Sequence, residues 1–191
     1  MFQARIHGRG GQGVVSAAEM LSVAAFLEGR HSQAFPSFGS ERMGAPVMAF
    51  CRIDDKEIRL REPVMKPDAL IIQDPTLLHQ VNLFQGLSER GCVVVNSTRD
   101  LDDLGLGEFR RDNPGANVVT VPATELALKY VGRPLPNAAL LGGFSALSSL
   151  IALASIEAAI RSKFPAKVAE ANISAARAAA ESVKESGAVP C

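Results

Sequence analysis

The stretch RIHGRGGQGVVSAAEML, residues 5–21, decides how the rest of the chain is read. A short apolar run leads into Gly8, Gly10, Gly11 and Gly13, and apolar residues then recur at helical spacing. Gly8, Gly10 and Gly13 satisfy G-x-G-x-x-G between a strand and a helix, the setting that motif requires. Glycines there allow a tight turn and close backbone approach, while the helix N-terminus offers unpaired N–H groups and partial positive charge to a phosphate. Arg9 and Gln12 stand inside the loop as further donors. A dinucleotide site also needs a carboxylate at the end of the second strand. That strand ends QAFPS, and Glu28 precedes it, so the dinucleotide signature is incomplete. The P-loop pattern G-x-x-x-x-G-K-[ST] is absent. The other reading of the glycines is close strand–helix packing with no ligand.

Outward from the loop, strands alternate with helices. Val14, Ala17, Ala18, Leu21, Ala24 and Ala25 trace one helical face, which Gly29 ends. Residues 31–35 read as a short strand, and PSFGSERMGA (36–45) as a polar loop. PVMAFCRID (46–54) reads as a longer strand. A turn at Asp54-Asp55-Lys56 then leads into EIRL, predicting an antiparallel hairpin. DALIIQD (68–74) is continuously apolar, as in a parallel sheet buried on both faces. Asp74-Pro75 is a helix-start signal, and Leu77, Val81, Phe84 and Ser88 predict a helix running to Gly91. CVVVNST (92–98) and NVVTVPA (117–123) are further buried strands, joined by a polar connector (99–116). Helices are predicted over 124–131, over 137–163 with a break, and over 165–186. Val168, Ala171, Asn172, Ala175 and Ala179 form the buried face of the last. The pattern predicts an α/β fold: a Rossmann-like, mostly parallel sheet with flanking helices, one antiparallel hairpin and a helical C-terminal tail. No repeat or linker divides the chain, so residues 1–191 are expected to form a single domain.

Composition narrows the function. The 20 basic residues balance the 20 acidic ones, and there is no Trp and one Tyr, which argues against nucleic acid and anionic membranes as partners. Residues 138–156 carry no charge over 19 positions, enough to span a bilayer, but two glycines, four serines and the lack of an aromatic belt favour buried helices. MFQARIHG has no signal-peptide pattern, and the expected compartment is the cytoplasm. Cys51, Cys92 and Cys191 are far apart, an odd count without CxxC spacing, which argues against a disulfide framework, a zinc site or an iron–sulfur cluster on this chain. Cys51 and Cys92, inside strand-like runs, are expected to be buried thiols. His7, His31 and His79 lack metal-ligand spacing, and no catalytic constellation can be assembled. The loop after strand two lies at the same sheet edge as the glycine loop, where open α/β sheets place their ligands. Ser37, Phe38, Gly39, Ser40, Glu41 and Arg42 stand in it.

The two loops together resemble a known family. GRGGQGV, followed by SFGSERMGAPV, is similar to the gamma subunit of 2-oxoacid:ferredoxin oxidoreductases of the pyruvate:ferredoxin oxidoreductase type. The second family motif usually reads S-[YF]-G-x-E-x-R-G-G. Ser37, Phe38, Gly39 and Glu41 match it, whereas the basic residue is Arg42, with Met43 before Gly44. DALIIQD, CVVVNST and PLPNAALLGGFSAL extend the resemblance over nearly the whole chain. It implies a multisubunit enzyme that oxidatively decarboxylates a 2-oxoacid to an acyl-CoA and CO2. Thiamine diphosphate with magnesium would be held by alpha and beta subunits, and [4Fe-4S] clusters by a ferredoxin-like delta subunit. Electrons would pass to ferredoxin, or to NAD through a flavoprotein subunit. The resemblance implies no catalytic residue, metal or cofactor held by this chain alone, but a part in forming the coenzyme A region. The residues expected to contribute are Gly8, Arg9, Gly10, Gly11, Gln12, Gly13, Ser37, Phe38, Gly39 and Arg42. The alternative is a stand-alone nucleotide-binding or regulatory domain.

Overall fold

The structure is a computed structural model, and it describes residues 1–37 and 44–191. Its described strands are β1 (Phe2–Arg9), β2 (His31–Ser37), β3 (Pro46–Asp54), β4 (Ala69–Ile72), β5 (Cys92–Asn96) and β6 (Asn117–Val121). They form one sheet in the order β2-β3-β1-β4-β5-β6. β3 runs antiparallel to both neighbours, and the remaining pairs are parallel. Since β1 and β2 both oppose β3, they point the same way. Arg9 pairs with Pro46 and Ser37 with Met48, so the loops after β1 and β2 leave one edge, as the sequence predicts.

The helices are α1 (Val14–Leu27), α2 (Gly107–Asp112), α3 (Ala123–Val131), α4 (Asn137–Ser148), α5 (Leu153–Lys163) and α6 (Ala166–Glu185). One sheet face, carrying Ala4, Ile6, Cys51, Ile71, Val94 and Val121, packs under α1, α4, α5 and α6. Alanines on α1 and α6 let these helices come close. At the α4–α6 crossing, a Cβ on Gly142 would run into the backbone carbonyl of Ala176. The opposite face, carrying Leu70, Ile72, Val93 and Val95, is covered mainly by irregular chain around Leu77, Leu83, Leu104 and Leu106.

Five sequence expectations need correction. The antiparallel hairpin joins β2 to β3. Residues 57–60 form no strand, because the Arg52 guanidinium binds the carbonyl oxygens of Leu60 and Glu62 and holds this segment over the sheet. The helix predicted to reach Gly91 stops after a 3-10 turn, Pro75–His79. Arg5 donates to the carbonyls of Leu83 and Gln85, which a helix would have kept for itself. The connector 99–116 contains α2. The buried face of α6 is turned toward Ile173, Ala176, Ala180 and Val183, leaving Val168 exposed and Ala171 half-buried. Finally, Cys191 pairs with Cys92 in a disulfide, their Cα atoms 5.9 Å apart, because the C-terminal tail returns to the start of β5. Sequence spacing alone carried no sign of that return. Cys51 is a buried free thiol, as expected, and burial pushes it up to about 12.

The uncharged run 138–156 divides at 149–152. The Ser145 hydroxyl donates to the Ile151 carbonyl at 2.7 Å, and the backbone N–H of Ala152, just ahead of α5, donates to Glu28 Oε1 at 2.8 Å. No helix among the described residues is long and apolar enough to cross a membrane.

Candidate functional site

The glycine loop closes between β1, α1 and the segment after β4. Gly8 has no room for a side chain: a Cβ would lie 2.6 Å from Val14 Cγ2 and 3.2 Å from Gln73 Cβ. Gly13 has φ 77°, a left-handed conformation that L side chains rarely adopt. A Cβ there would lie 2.6 Å from Asn137 Nδ2. Gly10 N–H donates to the Ala45 carbonyl at 2.9 Å, and Gly44 N–H to the Gly10 carbonyl at 3.2 Å. The two loops picked out in the sequence are therefore bonded to each other. Phe38, Gly39 and Arg42, with Ser40 and Glu41, lie outside the described residues. Ser37 ends β2 and lines a cavity over Arg5 and His7.

Arg9 and Gln12 are turned inward. Arg9 Nε donates to Asp74 Oδ2 at 3.1 Å, and Gln12 Nε2 to the same oxygen at 2.9 Å. The Arg9 guanidinium also binds the Gly44 carbonyl, the Thr76 hydroxyl and Gln80 Oε1. Burial alone would raise the Asp74 pKa, but bonds from Thr76 and Gln12 and the charge of Arg9 outweigh it, holding the carboxyl below its ordinary range. These side chains fasten the loop. The donors left for an anion are backbone N–H groups at the start of α1: Val14, Val15 and Ser16 have no acceptor among the described residues, and no side chain caps this helix.

A second helix begins at the same point. Asn137, the first residue of α4, is 4% exposed; its Oδ1 accepts from Ala138 N–H and its Nδ2 faces Gly13. Gln73, one residue past β4, lies behind Gly8 and is 1% exposed, with neither amide atom partnered among the described residues. Asn96 ends β5, bonding the Gln73 carbonyl and the Thr124 hydroxyl while accepting from Thr124 N–H at the start of α3. Three helix N-termini thus line one edge of the sheet. Residue-type motifs missed Asn96 and Gln73, and the PLPNAALLGGFSAL segment marked Asn137 only as the head of an apolar helix; an amide directly after a buried strand or opening such a helix was the available signal.

Because β3 separates β2 from β1, the end of β2 does not lie next to the glycine loop's strand, and Glu28 instead binds the chain ahead of α5 at the opposite edge. Among the described residues, no group of three or more His, Cys, Asp or Glu side chains could hold a metal ion.

A family model described as pyruvate ferredoxin/flavodoxin oxidoreductase matches residues 3–182. The chain is 45% identical over 187 residues to pyruvate synthase subunit PorC of Methanothermobacter marburgensis, covering 98% of this chain and 100% of that one. It is 43% identical over 181 residues to the pyruvate/ketoisovalerate oxidoreductases common subunit gamma of Pyrococcus abyssi, covering 95% and 96%. The crystal structure of the pyruvate oxidoreductase subunit PORC from Thermotoga maritima superposes with a TM-score of 0.79 at 37% identity, covering 94% of this chain and 95% of that one.

Proposed function

The chain belongs to the pyruvate ferredoxin/flavodoxin oxidoreductase family, as a gamma subunit of its multisubunit 2-oxoacid enzymes, and we propose that its glycine-loop edge receives the diphosphate of coenzyme A. The observation that carries this reading is the meeting of α1 and α4: unpaired N–H groups at the start of α1 stand beside the Asn137 amide, and the Asp74 carboxylate under the loop is paired with Arg9. A helix terminus contributes about 0.3–1 kcal/mol to an anion, up to about 2 kcal/mol where partly buried, so two give about 4 kcal/mol at most. Micromolar binding needs about 8 kcal/mol. The remaining affinity must come from the rest of the coenzyme and from partner subunits, so the edge orients the diphosphate rather than capturing it alone.

The partners in this proposal are alpha, beta and ferredoxin-like delta subunits, with ferredoxin or an NAD-linked flavoprotein as acceptor. Thiamine diphosphate with magnesium would supply decarboxylation and the [4Fe-4S] clusters electron transfer, both on partners. The free cysteine of this chain fits no cluster: Cys51 is fully buried, with its thiol pushed up to about 12. Within the assembly, residues 1–191 form one domain, acylation of coenzyme A takes place beside its edge, and the complex works in the cytoplasm. The first loop contributes Gly8 to Gly13, with Arg9 and Gln12 holding its shape. From the second loop, Ser37, Phe38, Gly39 and Arg42 are assigned to the same coenzyme A region. The stand-alone nucleotide-binding alternative finds no support among the full-length relatives.

The test is native purification through a tag on this chain. Copurification with thiamine- and cluster-containing subunits in fixed ratio, together with inactivity of the chain alone, is the expected result. Oxoacid oxidation by the purified single chain would overturn it.

A further inference from the structure

On the sheet face opposite α1, a cavity of about 350 Å³ opens over Arg5 and His7, a volume at the small end of ligand pockets. Its walls are apolar, from Phe50, Val64 and Leu77 among others, with Met48 and Val81 exposed at its border. Its polar end is unusual. Arg5 is 7% exposed, yet among the described residues its guanidinium meets only neutral acceptors: His7 Nε2 at 3.0 Å and the carbonyls of Val64, Leu83 and Gln85. No carboxylate among the described residues forms an ion pair with it. The comparable buried Arg52 has Glu62 within electrostatic reach. A buried cation without a counter-charge is costly, and a ligand anion relieves that cost. His7, 5% exposed, accepts through Nε2, which leaves its ring proton on Nδ1, and Nδ1 has no partner among the described residues. An apolar chamber therefore ends at a positive charge and a neutral N–H donor.

We propose that this cavity binds a small amphipathic carboxylate, an aliphatic or aryl monocarboxylate whose body fills the apolar walls and whose anion faces Arg5 and His7. The cavity borders the second loop through Ser37 but lies on the sheet face opposite α1, and its test does not depend on the coenzyme A reading. Its test is calorimetric titration of the full chain with 4-methylpentanoate, its neutral isostere 4-methylpentanamide, and acetate. The carboxylate is expected to bind at least about tenfold more tightly than the amide or acetate, a factor that separates a charge-reading site from a merely apolar one. Val81→Trp, which fills the mouth from an exposed position, is expected to abolish binding while circular dichroism and the melting temperature stay unchanged. Three results would overturn the proposal: equal binding of carboxylate and amide, no binding of any probe, or binding untouched in Val81→Trp. A fourth would do so by another route. Should the wild-type chain lose 4-methylpentanoate on assembly with its partner subunits, the cavity is a seat for a partner's side chain rather than for a free acid.

Discussion

The two faces of the sheet are held by different physics. Under α1, α4, α5 and α6 the contact is apolar and built from small residues, with Ala17, Ala24, Ala176 and Ala179 fully buried. On the other face two buried arginines do the organising. Arg5 ties down residues 64, 83 and 85 by their carbonyls, and Arg52 ties down 60 and 62. The first face is shaped by how closely backbones approach, the second by where a guanidinium can reach. Regular helix needs its carbonyls for its own ladder, so a face whose carbonyls are taken by side chains is covered by irregular chain.

The largest expected effect is on the arginine side. Arg5→Leu removes bonds to three carbonyls and leaves them unsatisfied, a loss of about 3 kcal/mol. The urea midpoint should fall accordingly, and amide exchange should accelerate in residues 60–91 before it does in α4 or α6. Uniform acceleration would mean that the two faces do not differ as described. On the helical side, Gly142→Ala forces a Cβ into the Ala176 carbonyl and should cost about 2 kcal/mol, in the range of overpacked cores. A neutral or stabilising result would show that the α4–α6 approach is looser than the structure has it.

The third effect is graded, a pH dependence confined to the arginine face and small at any one step of pH. Burial and the neighbouring Arg5 push His7 down from 6.5 to about 3. Between those values the unfolded chain takes up a proton that the folded chain refuses, so stability rises with pH across the window. The contribution is complete above the unfolded value and falls away as pH drops toward the folded one. The slope due to His7 should be about 1 kcal/mol per pH unit within that window. His7→Gln should flatten it in urea midpoints measured from neutral pH downward, and an unchanged slope would place its origin elsewhere.

The same division explains what the sequence made legible. Periodicity found α1, the buried strands and the three C-terminal helices, because apolar burial at fixed spacing is what built them. It placed Val168 inside α6, which the structure turns outward: the alanine-rich helix offers several overlapping stripes, and contact with α4 chooses among them. The helix expected from Leu77, Val81, Phe84 and Ser88 fails because Arg5, some eighty positions away in sequence, claims its carbonyls. The hairpin was legible as a motif but not in its partner. At the candidate site the glycine loop and its meeting with the second loop were readable from spacing and strand direction. The inward turn of Arg9 and Gln12 was not, since it depends on Asp74, and the approach of Asn137 depends on how α4 docks.

The central claim is that the α1–α4 junction orients the coenzyme A diphosphate, and Asn137→Asp tests it most directly. The substitution preserves shape and can still accept from the Ala138 N–H, but it sets a carboxylate beside Gly13 where the amide stood. In the assembled enzyme, with subunit ratio and cluster content unchanged, the coenzyme A KM should rise at least about tenfold, equivalent to about 1.4 kcal/mol. Decarboxylation without coenzyme A should proceed at the wild-type rate. An unchanged coenzyme A response in a correctly assembled variant would contradict the account, leaving the glycines a packing role alone.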